Sequence, residues 1–254
     1  MSAGLASPVA GLRSLLVRAL HRLAMAGVDQ HSGWRRDPAG GLAAISAYLA
    51  AVFFGERAAA VRAAVRVRRI HDRVRGAGAV TGRRYAAGDP GLLLWVHGAL
   101  AGSVVAAASL AGIALAAGDS NRYVAEMVAA AGLTGVPRPL VPSSVPGLDL
   151  YIATARPGLR CTPAAAGSMA CLLDPPGLGE EVAVIWQDIR DAAVAALPRR
   201  ARQMHGYSAP PLTPGRRTGI RQSLGVLDAM FPGQPGVLGA RQRITLRMRA
   251  ARPA

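Results

Sequence analysis

Lysine is absent from this chain of 254 residues, so all 30 basic residues are arginines, set against 14 acids for a net charge of +16. That balance invites a nucleic acid or an anionic membrane surface as partner. Aromatic residues, however, make up only 4% of the chain, which leaves few platforms for stacking bases. No zinc-finger or RNP signature appears, and the arginines are spread over several stretches and not massed in one tail. Specific nucleic-acid recognition is therefore not expected. Cysteine is nearly missing too. Cys161 and Cys171 offer neither a disulfide framework nor a metal spacing, and no Cys-x-x-Cys-His attachment motif is present. A reduced, cytoplasmic setting suits such usage. Common catalytic signatures are also lacking: there is no Gly-x-Ser-x-Gly, no His-Glu-x-x-His and no Walker loop. Gly76-Ala77-Gly78 fails a dinucleotide fingerprint at Thr81, and there is no thiolate loop of the cytochrome P450 kind.

Half of the chain is apolar, and alanine supplies much of that half. Few β-branched or aromatic runs and many small side chains favour closely packed helices. The expectation is an all-α fold: a single multi-helix domain over residues 1–207, built around a buried, mostly small-residue central helix. Residues 208–254 form a Pro/Gly linker (Ser208 to Thr218), one helix near Gly219 to Phe231 and a basic tail, packed on the domain or trailing from it.

The central helix is expected from Leu92 to Ala117, 26 positions without a charge. That length would cross a bilayer. Its Ala, Gly, Ser and Val content, the His97 inside it and the lack of flanking aromatic belts favour protein burial. Peripheral contact with a membrane stays open beside that reading. At the N-terminus Val9, Leu12, Leu16, Ala19 and Leu23 form an amphipathic stripe with Gly27 as a natural stop. Arg13, Arg18 and Arg22 interrupt any secretory core. Further helices are expected at Leu42–Phe54, Glu56–Arg75, Asn121–Gly132, Leu148–Thr154, Pro163–Leu173 with Thr162 as cap, and Glu180–Leu197. The proline-rich run Val136–Gly147 must be a loop.

The most informative stretch runs from Arg66 to His97. Ala60, Ala64, Val67, His71 and Val74 recur at steps of four and three, which puts them on one helical stripe. Arg62, Arg66, Arg69 and Arg73 fall on the other side, in water. His71 thus sits on the buried face, where an imidazole needs either a hydrogen-bond partner or a metal. A satisfied core histidine is the plain reading; an axial ligand is the sharper one.

Three motifs follow one another here: His71-Asp72-Arg73-Val74-Arg75-Gly76, Tyr85-Ala86-Ala87-Gly88-Asp89-Pro90 and Trp95-Val96-His97. Together they resemble the family of the fungal oxygenase MpaB and the bacterial latex-clearing proteins, the rubber-oxygenase catalytic domain. Ala26-Gly27-Val28 with His31-Ser32, Phe54-Gly55 and Tyr123-x-x-Glu126 fall in the family's order as well. The resemblance runs from about Leu15 to Leu197. It implies a b-type haem whose iron is held by His71, and an oxygenase or oxidase using dioxygen on an apolar, isoprenoid-like or olefinic substrate. It also makes His97 a candidate for the haem's other face or a propionate, against a structural His bridging two helices, and His31 a candidate for touching the pocket. Arginines near a haem commonly pair with its propionates. Arg68 and Arg69, or Arg35 and Arg36, are the candidates by proximity. His21 and His205 are read as incidental.

One departure stands out. The family pattern carries Arg-x-x-x-Thr where this chain has Gly41-Leu42-Ala43-Ala44-Ile45. Loss of both polar groups points to altered chemistry, a different substrate or an inactive member. The rival reading is therefore a haem-free or inactive helical protein that binds a lipid or a partner.

Overall fold

A computed structural model describes residues 7–33, 37–80, 82–110 and 118–230. Arg35 and Arg36, residues 111–117 of the long apolar run and the basic tail beyond residue 230 lie outside the described residues. Within them the fold is helical, apart from one short hairpin.

The helix Pro90–Leu110 (α5) is the piece on which the others register. Asp89 starts it, accepting from the backbone N–H of Gly91 at 2.8 Å and of Leu92 at 3.3 Å. Pro90 at the first position loses no hydrogen bond there. The helix is long and apolar enough to cross a membrane, yet most of its apolar window is buried inside the domain. Different strips of α5 take different partners, and each strip is short of bulk. Trp95, Ala99, Ser103 and Ala107 lie against Ser7–Ala19 (α1), with Leu16 and Leu20 in the same buried cluster. Ala101 packs with Val124 and Met127 of Asp119–Thr134 (α6). Gly98 and Gly102 let Leu148 and Tyr151 of Val145–Ala155 (α7) approach. Leu93 and Leu94 close one end over Ala131, Val136 and Val141.

The N-terminal stripe is real, but it belongs to two helices. The chain turns at Leu20, and His21 pairs with Leu159 in an isolated β-bridge. His21 Nδ1 then caps Arg22–His31 (α2) by accepting from Ala24 N–H at 3.3 Å. His21, taken as incidental, is thus a structural residue. Gly27 does not stop a helix; it lies inside α2, and an added Cβ would stand 3.4 Å from the Tyr85 ring. Close approach, not termination, explains the glycine.

Pro38–Phe54 (α3) begins earlier than its apolar pattern suggests because Asp37 caps it through Gly40 N–H at 2.8 Å. Arg57–His71 (α4) ends four residues sooner than its period suggests. The chain leaves it for a two-stranded antiparallel hairpin, Arg75–Ala77 (β1) and Arg84–Ala86 (β2), with Gly76 opposite Tyr85. Pro163–Leu173 (α8) falls where its cap predicts, with Thr162 accepting from Ala165 N–H.

Glu180–Ala195 (α9) is followed by Arg199–His205 (α10), a short helix that the arginine-rich sequence hides. The last described helix, Pro214–Met230 (α11), starts inside the expected linker. It packs on α9 rather than trailing: Ile220 and Leu224 join the core, and Arg216 pairs with Asp188 and Asp191 at 2.6 Å each.

The close α5–α7 contact yields a test. A Cβ at Gly98 would meet Tyr151 Cε1 at 3.1 Å and Leu148 Cδ1 at 3.4 Å. Gly98→Val should therefore destabilise the domain by about 1–3 kcal/mol through overpacking, measured as a lower urea midpoint at unchanged m-value.

Candidate functional site

The three sequence motifs tie the segment that follows α4 to the segment that leads into α5. Val74 accepts from Ala87 N–H at 2.9 Å, and Asp89 N–H donates to Ala86 O at 2.9 Å before its side chain caps α5. Tyr85 is buried and donates its hydroxyl to Gln30 Oε1 at 2.8 Å, while Gln30 Nε2 donates to Ala77 O at 2.9 Å. Gly76 has no room for a side chain, since a Cβ there would lie 2.6 Å from Gln30 Oε1 and 2.7 Å from the Tyr85 hydroxyl. Trp95 turns the other way and donates Nε1–H to Arg18 O at 3.2 Å, anchoring the end of α1. Every motif residue that makes one of these contacts positions something else.

What they position is a circuit of helices. α4 packs on α6, α6 on α5, and α5 on α1. Arg18 on α1 closes the loop, because its charge acts on His71 at the end of α4. Polar groups without partners point to the interior of this circuit. His71 is half-buried, and its Nδ1 is buried with no hydrogen-bond partner. Burial is the main cause that holds its pKa below the usual imidazole value; the Arg18 charge adds to this and Asp72 opposes it. The Tyr123 hydroxyl on α6 is likewise buried without a partner, and burial raises its pKa. Arg18 is half-buried, and desolvation pulls the pKa of its guanidinium down to about 10. Among the described residues no carboxylate pairs with that guanidinium.

His97 is half-buried on α5, and desolvation lowers its pKa to about 4. It follows Trp95 by two positions, so the two side chains project roughly 200° apart around the helix. Trp95 faces α1; His97 lies on the side that carries Leu93 and Ala101, whose neighbours come from α6 and the segment after it.

The other expected residues stand differently. Arg68 and Arg69 are exposed on the outside of α4, beside exposed Arg62 and Arg66. The cation whose charge acts on His71 is Arg18, not either of these. Nothing in the local pattern singled it out, because its position relative to His71 depends on α1 crossing α5. His31 is exposed at the end of α2, edge-on to Tyr85 with ring centroids 6.3 Å apart. Ile45, in place of the family's threonine, is half-buried within α3. Glu126 is exposed.

No group of three or more His, Cys, Asp or Glu side chains is arranged for a metal ion among the described residues. A protein-held metal cage is thus not what the circuit offers. It offers the buried, unpartnered nitrogen of His71 within range of the Arg18 charge, the kind of donor set that an iron macrocycle carrying its own carboxylates would need.

Fold and site together define a helical domain with an electropositive, imidazole-bearing interior. The chain belongs to the family described as "ER-bound oxygenase mpaB/B'/Rubber oxygenase, catalytic domain", which matches residues 1–229. The match extends beyond the stretch in which the sequence motifs are recognisable and takes in α1 and α11. Comparison with curated proteins and with solved structures gave no match.

The desolvated His97 makes stability pH-dependent. An unfolded imidazole takes up its proton near 6.5, whereas the buried one resists until about 4. Between these values acid favours only the unfolded chain, so this contribution is complete above pH 6.5 and is lost as pH falls toward 4. The loss amounts to at most about 3 kcal/mol. His97→Gln, neutral throughout, should flatten the fall in denaturation free energy over that window relative to wild type.

Proposed function

We propose that this domain is a haem-dependent oxygenase or oxidase acting on an apolar substrate, with His71 as the axial donor. The observation that carries the reading is the buried, unpartnered Nδ1 of His71, with the desolvated Arg18 within electrostatic range of it. A buried imidazole nitrogen with no partner, and a desolvated guanidinium with no carboxylate paired to it among the described residues, are costly unless something satisfies them. A b-type haem answers both needs, because His71 would bind its iron and Arg18 would pair with a propionate carboxylate. When bound, such a haem supplies the redox chemistry of dioxygen activation, which no side chain here provides.

The chain's own residues do the remainder. His71 reaches the interior in a fixed pose because α4 ends there and Asp72 and Val74 are held by the hairpin. His97 stays neutral at physiological pH, so it can accept a hydrogen bond without adding positive charge to the interior. Tyr123 offers a hydroxyl donor whose proton is held tightly by burial. The apolar walls of α5 and α6 exclude water and favour a hydrocarbon-like substrate, of which an isoprenoid or olefinic chain is an example. The arginine face of α4, where Val61, Val65 and Ile70 are exposed among Arg62, Arg66 and Arg69, suits peripheral contact with an anionic lipid surface.

Titration with haemin tests the proposal. Wild type should bind one equivalent and develop a Soret band. His71→Ala should lose most of the occupancy or shift the band, with far-ultraviolet circular dichroism near wild type, since alanine suits the last turn of α4. His97→Ala should perturb the spectrum less. Full haem with an unchanged spectrum in His71→Ala would assign the ligand elsewhere. Wild-type protein that binds no haemin at all would favour a haem-free lipid- or partner-binding domain, with the missing polar groups at Gly41 and Ile45 as the first cause to examine.

A further inference from the structure

His205, which looked incidental in the sequence, ends α10 in contact with a thiol. Its Nδ1 lies 3.5 Å from Cys161 Sγ, and its Nε2 lies 2.9 Å from Leu16 O on α1. A carbonyl can only accept, so Nε2 carries the proton and Nδ1 is left as a lone pair facing the thiol. Cys161 S–H has one other acceptor within reach, Thr162 O at the longer distance of 3.9 Å. Tyr207 stacks on the imidazole, with ring centroids 5.1 Å apart and planes 6° from parallel, and this holds the ring against flipping. The result is a relay S–H···Nδ1, Nε2–H···O=C, in which nucleophile, base and orienting acceptor come from three separate segments. Cys161 remains partly accessible, as does Cys171 on α8, and both are free thiols.

From this geometry we propose that Cys161 is an oxidant-responsive thiol that hydroperoxides convert to a sulfenic acid, with His205 as its proton acceptor. The sulfur attacks the terminal peroxide oxygen, so an S–O bond forms as the O–O bond breaks. The thiol proton passes to His205 Nδ1 and then to the departing hydroxide or alkoxide, giving water or an alcohol. Sulfur is oxidised by two electrons and the peroxide is reduced by two. Burial raises the thiol's pKa and lowers the imidazole's, so the resting pair is neutral and the proton moves only as the attack proceeds. Cys171 does not resolve the product as a disulfide. It sits in the last turn of α8 while Cys161 precedes that helix's cap, a separation of roughly 13 Å at 1.5 Å per residue. The sulfenic acid is therefore left for a small-molecule thiol to cap and return.

The test uses the full chain, hydrogen peroxide and a dimedone-type trap for sulfenic acid, with peptide mass spectrometry separating the two cysteines. Cys161 should be trapped at least tenfold faster than Cys171, and His205→Gln should remove that advantage while leaving the Cys171 rate unchanged. Acceleration of both cysteines in His205→Gln would signal unfolding. In that event the wild-type pH profile decides. Under iodoacetamide, Cys161 labelling should rise with a midpoint below 6.5, following the imidazole, and not with the higher midpoint of an unassisted thiol. Equal trapping of both cysteines, an undiminished Cys161 rate in a folded His205→Gln protein, or a labelling midpoint in the thiol range would overturn the proposal.

Discussion

The close approach of α1 to α5 is the contact on which the rest of the molecule depends. It is made possible by what α5 lacks. With Ala99, Ser103 and Ala107 along one strip, the helix offers little side-chain volume, and Arg13 reaches across to donate to Ser103 at 2.7 Å and to Ala196 at 2.9 Å. That guanidinium is itself desolvated, with its pKa lowered to about 10, yet both of its hydrogen bonds go to neutral oxygens. A buried cation so held ties α1, α5 and the end of α9 into one register. Because α1 is fixed there, Arg18 comes within electrostatic range of His71, and Leu16 O comes within reach of His205.

Two arginines of one helix thereby take opposite roles. Arg13 is satisfied by a hydroxyl and a carbonyl and serves the fold. Arg18 is one turn and a half further along, half-buried and without a paired carboxylate among the described residues, and its charge acts on an imidazole whose buried nitrogen has no partner. Proteins rarely leave two such groups together without a ligand to satisfy them. The same desolvation keeps His71 and His97 neutral, so positive charge in and near the interior comes from the arginines Arg13 and Arg18. The proposed haem would answer the imidazole and the guanidinium together; a neutral lipid would answer neither.

The motifs deserve a reading in physical terms. Tyr85, Gly76 and Gln30 form a clamp in which a hydroxyl, an amide and a bare backbone fill one another's space. Asp89 and Pro90 start α5, and Trp95 binds the end of α1. Apart from His71 and His97, the motif residues that make these contacts form a mechanical linkage between the chain segments flanking α4 and α5.

Much was legible in the sequence for a local reason: periodicity and caps act within a few residues. The all-helical fold, the buried small-residue α5, the Thr162–Pro163 start of α8, the exposed arginines of α4 and the inward stripe bearing His71 all follow from spacing alone. Helix ends were less legible, because α4 stops where the hairpin captures Val74, and α1 breaks where His21 pairs with Leu159, a residue far along the chain. Gly27 showed its flexibility in sequence but not its true role, since the Tyr85 ring arrives from another segment. The sequence by itself determined the class of fold, the family and the histidine to watch. Only the tertiary structure decided which arginine stands beside that histidine, that His31 faces solvent and that His205 meets Cys161. Each of those facts joins residues dozens of positions apart, and no local pattern encodes which distant side chain a helix crossing will deliver.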